Sequence, residues 1–113
     1  MYEYKGLVTR VVDGDTFDVI VDLGFGIDYK IRVRLRGIDT PETWRPETAA
    51  EELHGLQATK FVSILIEGQE IKLRSHKLGI YGRYEVDIEL ADGTDLATLL
   101  KEKGFEKRPE YID

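Results

Sequence analysis

Asp39 and Glu42 stand three residues apart in the segment Gly37-Ile38-Asp39-Thr40-Pro41-Glu42. Pro41 fixes its own φ and pushes Thr40 into an extended conformation, so this is no helix interior. More acids lie upstream in Asp13-Gly14-Asp15-Thr16. Asp-Gly is common turn chemistry, and solvated acids on a plain β-turn are one reading. The other is a cation site. Two carboxylates about 4 Å apart repel by roughly 4 kcal/mol at an effective dielectric of 20. A site that gathers Asp15, Asp39 and Glu42 therefore needs a cation, a proton or an arginine to persist. Oxygen-only donors point to a hard cation, calcium or magnesium. The spacing is not that of an EF-hand. Counted from Asp13, the sixth position is Asp18 rather than glycine and the twelfth is Gly24 rather than glutamate.

Cationic chemistry lies beside these acids. Ile31-Arg32-Val33-Arg34-Leu35-Arg36 alternates apolar and basic residues and runs straight into the acidic corner. A solvated strand face accounts for Arg32 and Arg36. The stretch 72–83 holds Lys72, Arg74, Lys77 and Arg83 and no acid. Such a local basic patch suits a phosphate backbone, with Lys77 as a substrate contact. Tyr81, beside Arg83, is placed to stack on a base or sugar. A half-buried aromatic beside a strand is the plainer account of Tyr81. His54 and His76 have no serine or cysteine nucleophile near them in sequence, and ordinary surface or helix-end roles suffice for both.

The chain that must position these groups has 113 residues, enough for one domain and one core. It has no cysteine, which excludes a disulfide framework and a thiolate zinc site. Its net charge of −6 argues against a general nucleic-acid binder. A polyanionic partner must then be held by a local patch, helped by a bound cation. The opening Met-Tyr-Glu-Tyr-Lys-Gly has no leader pattern, and no apolar run reaches membrane-spanning length. As written, the expectation is a soluble cytoplasmic protein, although a trimmed secreted chain would read the same way.

Lys5–Val12 reads as a first strand and Asp13-Gly14-Asp15 as a turn. Thr16–Leu23 alternates as a second strand, with Phe17, Val19, Val21 and Leu23 on one face. Residues 24–28 form a glycine-bearing hairpin loop, and Tyr29–Gly37 is the third strand. Trp44–Glu52 fits either a helix start at Pro46 or a loop. From His54 to Glu67 a helical period emerges, with Leu53, Leu56, Phe61, Leu65 and Ile66 as its apolar stripe. Gly68 stops that helix. Gly55 inside it costs about 1 kcal/mol against alanine and marks either a close backbone approach or the true first turn. Glu70–Ser75 is strand four, His76–Arg83 a loop and Tyr84–Leu90 strand five. Asp95 caps a short helix, Leu96–Lys103, and an irregular tail follows Gly104. Three strands, a helix, two strands and a helix give the α+β layout of a five-stranded OB-fold Greek-key barrel spanning 1–113.

Five elements of the chain match one pattern in order. They are Val12-Asp13-Gly14-Asp15-Thr16; Arg34 five residues before Asp39-Thr40-Pro41-Glu42; Gly55-x-x-Ala58-x-x-Phe61; Tyr81-Gly82-Arg83; and Asp92-Gly93 before the last helix. Each is weak alone, but together they resemble the staphylococcal nuclease (thermonuclease-like) family over nearly the whole length. The resemblance implies an OB-fold and a calcium-dependent phosphodiesterase that cuts DNA or RNA and leaves 3′-phosphate ends. By the resemblance, Asp15 and Asp39 are metal carboxylates and Thr40 supplies a backbone carbonyl. Arg34 and Arg83 resemble the catalytic arginines, and Glu42 the general base.

Two departures stand out. Longer members carry a third helix, for which this chain has no room. A self-sufficient monomer, or a homodimer whose partner covers the exposed face, is then expected. Tyr111 is out of register with the family's nucleotide-contacting tyrosines. A non-catalytic OB-fold binding module is the alternative, since folds host many functions. A degenerate module would be expected to lack one of Arg34, Asp39, Glu42 or Arg83, and all four stand here. A protein-interaction domain, suggested by the acidic strand Tyr84–Leu90, is the third reading.

Overall fold

The computed structural model describes residues 2–43, 45–78 and 84–109, with backbone alone at 77 and 78. The strands are β1 (Tyr2–Asp13), β2 (Thr16–Asp22), β3 (Asp28–Leu35), β4 (Glu70–Leu78) and β5 (Tyr84–Glu89). Helix α1 (Ala49–Ile66) lies between β3 and β4, and α2 (Leu96–Glu102) follows β5. The strands close in the order β1-β2-β3-β5-β4. This is the expected five-stranded barrel with two helices. Closure rests on a parallel pairing of β3 with β5, Val33 opposite Tyr84 and Leu35 opposite Val86. It also needs a β1 longer than its sequence suggested. Tyr2–Leu7 pairs with β4, while Lys5–Asp13 pairs with β2.

The inward faces supply the core: Val8 and Val11 from β1, Phe17 and Val19 from β2, Val33 and Leu35 from β3, Leu73 from β4, Val86 and Ile88 from β5. Val62 and Ile66 of α1 and Leu96 and Leu100 of α2 join the same cluster. The C-terminal end of α1 is tied to β1. The Gly68 amide donates to the Val8 carbonyl at 2.7 Å, and the Val11 amide donates to Glu67 Oε2 at 2.9 Å. Among the described residues no helix is long and apolar enough to cross a membrane.

Helix α1 follows its sequence stripe at Phe61, Leu65 and Ile66, which pack on the core, and departs from it in the first turns. It begins at Ala49, and the Thr48 hydroxyl accepts the Glu51 amide as its N-cap. Its buried face is Glu51, His54, Gly55, Ala58, Val62 and Ile66, while Leu53 and Leu56 are more than half exposed. The N-terminal half of the helix therefore packs on something other than the apolar core.

Candidate active site

Gly14 and Asp15 form the turn between β1 and β2. Cross-strand pairing sets Thr16 opposite Arg34 on β3, and the Leu35 amide donates to the Asp15 carbonyl at 2.8 Å. The strand register thus brings the Asp-Gly-Asp turn to the end of β3, where the acidic corner begins. Two glycines let the segments close. A Cβ at Gly14 would lie 2.8 Å from Thr40 Oγ1. A Cβ at Gly55 would lie 2.7 Å from the Pro41 carbonyl oxygen and 2.9 Å from that of Glu42. Gly55 is therefore the close-approach glycine: the first turns of α1 pack on the backbone of the corner itself.

Asp15 is the buried anchor, 7% exposed. Its Oδ1 accepts the Thr16 hydroxyl at 3.1 Å, and its Oδ2 accepts the Thr40 amide at 3.1 Å. Arg34 Nη2 lies 3.5 Å from Asp15 Oδ2 and also hydrogen-bonds Asp39 Oδ1. One guanidinium thus bridges the two carboxylates. Burial opposes the charge on Arg34, but the Asp15 and Asp39 carboxylates outweigh it and raise its affinity for the proton. Thr40 is 2% exposed, and its Oγ1 is buried with no hydrogen-bond partner.

Glu42 is exposed at the end of the corner. Partial burial of its carboxylate, then the negative charge of Asp15, raise its pKa against the pull of Lys107 and Arg34. A carboxylate shifted this way is the better base near neutral pH. Asp13, on the other side of the turn, accepts the Gly14 amide at 2.9 Å and the Thr59 hydroxyl of α1 at 3.2 Å. Burial, with Asp15 and Glu42 adding to it, pushes its carboxyl from 3.8 up to about 6. The native state then holds this proton more tightly than the unfolded chain. Its contribution to stability is full below 3.8 and lost as pH rises through about 6. Asparagine keeps the accepting oxygen without the charge. Asp13→Asn is expected to stabilise the protein by about 1 kcal/mol at pH 8 in chelator, allowing for solvent screening, and by almost nothing at pH 4. Thermal melts at both pH values check this; an equal effect at the two would refute it.

Two residues at the site have no place in the sequence reading. Glu51 is fully buried. Its Oε2 accepts the Glu42 amide at 3.1 Å, and its Oε1 the Glu47 amide at 2.7 Å. Lys107 Nζ lies 3.1 Å from Oε2. Burial disfavours the Glu51 charge, yet the two amides and the ammonium together lower its pKa. The signal in the sequence is Thr48-Ala49-Ala50-Glu51, the spacing of a capping box. Lys107 sits in a tail that carries no signal at all.

The structure brings together Asp15, Arg34, Asp39, Thr40 and Glu42. Arg83 and Tyr81 lie outside the described residues, as does the side chain of Lys77. Among the described residues no three or more His, Cys, Asp and Glu side chains gather as a metal-binding group. The donors at the corner are two carboxylates and the oxygens of Thr40. His54 Nε2 lies 2.8 Å from the Gly104 carbonyl, and His76 Nε2 lies 2.8 Å from Asp87 Oδ2. Both histidines thus have structural contacts.

Of the basic stretch, Lys72 and Arg74 on β4 have acidic neighbours across the sheet. Strand pairing sets Glu3 of β1 and Glu89 of β5 on either side of that strand. Arg74 lies 3.1 Å from Glu3, and Lys72 lies 3.3 Å from Glu89. Arg36 is 3.9 Å from Asp87, and Arg32 is 2.8 Å from Asp18.

Comparison with known proteins identifies a family. A family model described as staphylococcal nuclease homologue matches residues 32–111. A thermonuclease from Staphylococcus intermedius is 38% identical over 98 residues, which cover 85% of this chain and 55% of that protein. A micrococcal nuclease from Shigella flexneri is 33% identical over 81 residues, 72% of this chain and 40% of that one. Endonuclease YhcR of Bacillus subtilis is 30% identical over 117 residues, 97% of this chain and 9% of its own length. The chain spans about half the length of the first of these relatives, and less of the other two. The family model covers well over half of the chain, and its span includes Arg34 and the acidic corner. The chain belongs to the staphylococcal nuclease homologue family.

Proposed function

We propose that this protein is a calcium-dependent nuclease that hydrolyses phosphodiester bonds of single-stranded DNA or RNA and leaves 3′-phosphate ends. The observation that carries the proposal is the convergence of Arg34, Asp15 and Asp39 beside a Glu42 of raised pKa. The relatives named as nucleases support it.

The residues present fit a hard divalent cation. The donors are all oxygen, and the buried Thr40 Oγ1 without a partner marks a polar spot that the protein alone leaves unsatisfied. Asp15, Asp39 and Thr40 would hold the ion. When bound, it supplies charge neutralisation at the phosphoryl group.

The chain's own residues account for the rest. Arg34 reaches the carboxylates through Nη2 alone, and the guanidinium fork has further N–H groups to donate to phosphate oxygens. As the phosphorus becomes five-coordinate, negative charge builds on those oxygens and the donation strengthens. Arg83, assigned through the family pattern, supplies a second guanidinium. Glu42 accepts a proton from the attacking water, and the 5′-oxygen leaves. Lys77 and Tyr81 contact the strand.

The test is cleavage of single-stranded DNA with calcium, with magnesium and with chelator, for the unaltered chain and Glu42→Gln. Calcium-dependent cleavage that falls by about 10²–10⁴ in the variant is expected for loss of a general base. If neither protein cuts while both bind the strand, a binding module replaces the nuclease.

A further inference from the structure

We propose that Glu51 and Lys107 are positioning residues that hold the two ends of the Asp39–Glu42 corner in register for the reaction. The inference rests on the nuclease reading above. At one end the Lys107 amide donates to the Asp39 carbonyl at 2.7 Å. At the other the Glu42 amide donates to Glu51 Oε2 at 3.1 Å, the same oxygen that the Lys107 ammonium reaches. A single lysine therefore touches the first residue of the corner through its backbone and the last through a buried glutamate. Gly55 completes the clamp by letting α1 lie against the Pro41 and Glu42 carbonyls.

The arrangement goes beyond helix capping. In a capping box the glutamate at the third position serves its own N-cap amide. Glu51 instead turns both oxygens to amides outside the helix, those of Glu42 and Glu47. Capping needs no lysine, and a fully buried carboxylate is costly unless its position matters. Lys107 is itself seated. The Gly104 carbonyl meets His54, and Phe105 packs against Phe61 with ring centroids 5.2 Å apart. The segment after α2 thus reaches across the molecule to finish the corner. Displacement of a reacting group by about 1 Å can cost 10²-fold in rate, so small movements of Glu42 are enough to register.

The experiment is a double-mutant cycle on single-stranded DNA in calcium, with Lys107→Met in the unaltered chain and in Glu42→Gln. Lys107→Met keeps most of the apolar stem and removes the ammonium. The expected result is a fall in kcat of about tenfold with little change in KM. In the Glu42→Gln background the same substitution should do almost nothing, because the residue being positioned no longer works. Faster hydrogen exchange at the Glu42 amide should accompany it. Equal losses in both backgrounds, or an unchanged Glu42 amide, would overturn the positioning role. A rise in KM alone would also overturn it and make Lys107 a substrate contact. Should Lys107→Met unfold, Glu51→Gln goes through the same cycle with the same outcomes deciding. No cleavage by the unaltered chain would overturn the nuclease reading and this inference with it; cleavage without the cycle's coupling would overturn the inference only.

Discussion

Arg34→Ala is expected to lower kcat on single-stranded DNA by about 10²–10³, the usual loss for one donor to a developing oxyanion. KM should move far less, since the lost interaction strengthens in the transition state. The substitution also removes the cation that bridges Asp15 and Asp39. In chelator those carboxylates then face each other uncompensated, with Asp15 buried, so the melting temperature should fall; added calcium should restore it. Arg34→Lys separates the two roles. A lysine keeps the charge but loses the planar fork, so stability in chelator should recover while turnover does not. Steady-state kinetics and thermal melts on the same three proteins decide the matter. Near-normal turnover in Arg34→Ala would remove this residue from the chemistry.

Glu51→Leu is expected to destabilise the fold by about 3 kcal/mol, the lower part of the range for breaking a buried pair by removing one partner. The lower part applies because Lys107 is partly exposed and can turn to solvent. The Glu42 and Glu47 amides cannot, and each is left without its acceptor. For a domain near this size the unfolding midpoint should drop by more than about 10 °C. Glu51→Gln should cost less, since one carbonyl oxygen still accepts. A midpoint unchanged in Glu51→Leu would show that the buried carboxylate contributes no net stability.

Much of this was legible from the residue pattern. Alternation in β2 and β3 set Phe17 and Val33 on apolar faces, and the Asp-Gly turn and proline corner marked acids that converge. Barrel closure was not legible, because the parallel pairing of Val33 with Tyr84 joins residues far apart in sequence. The stripe of α1 held for Phe61, Leu65 and Ile66 and failed in the first turns, for a physical reason. Apolar periodicity finds the face that meets an apolar core, but the first turns of α1 meet polar backbone. Glycine, histidine and glutamate are therefore buried there while Leu53 and Leu56 face solvent. The acidic neighbours of Lys72 and Arg74 were hidden for a similar reason, since a strand's neighbours are chosen by register and not by sequence. Lys107 was beyond reach because its role depends wholly on where the tail folds back.

The pairing of β4 cations with Glu3 and Glu89, and of Arg36 and His76 with Asp87, bears on how a nucleic acid is held. A strand bound to an open basic surface gains free energy by releasing condensed counterions, with a salt slope of about −0.7 per phosphate neutralised for single strands. Cations that already have carboxylate neighbours release few. On the nuclease reading, these paired side chains would therefore add little to that entropy. On that reading, the share of the binding free energy owed to these side chains would vary little with ionic strength.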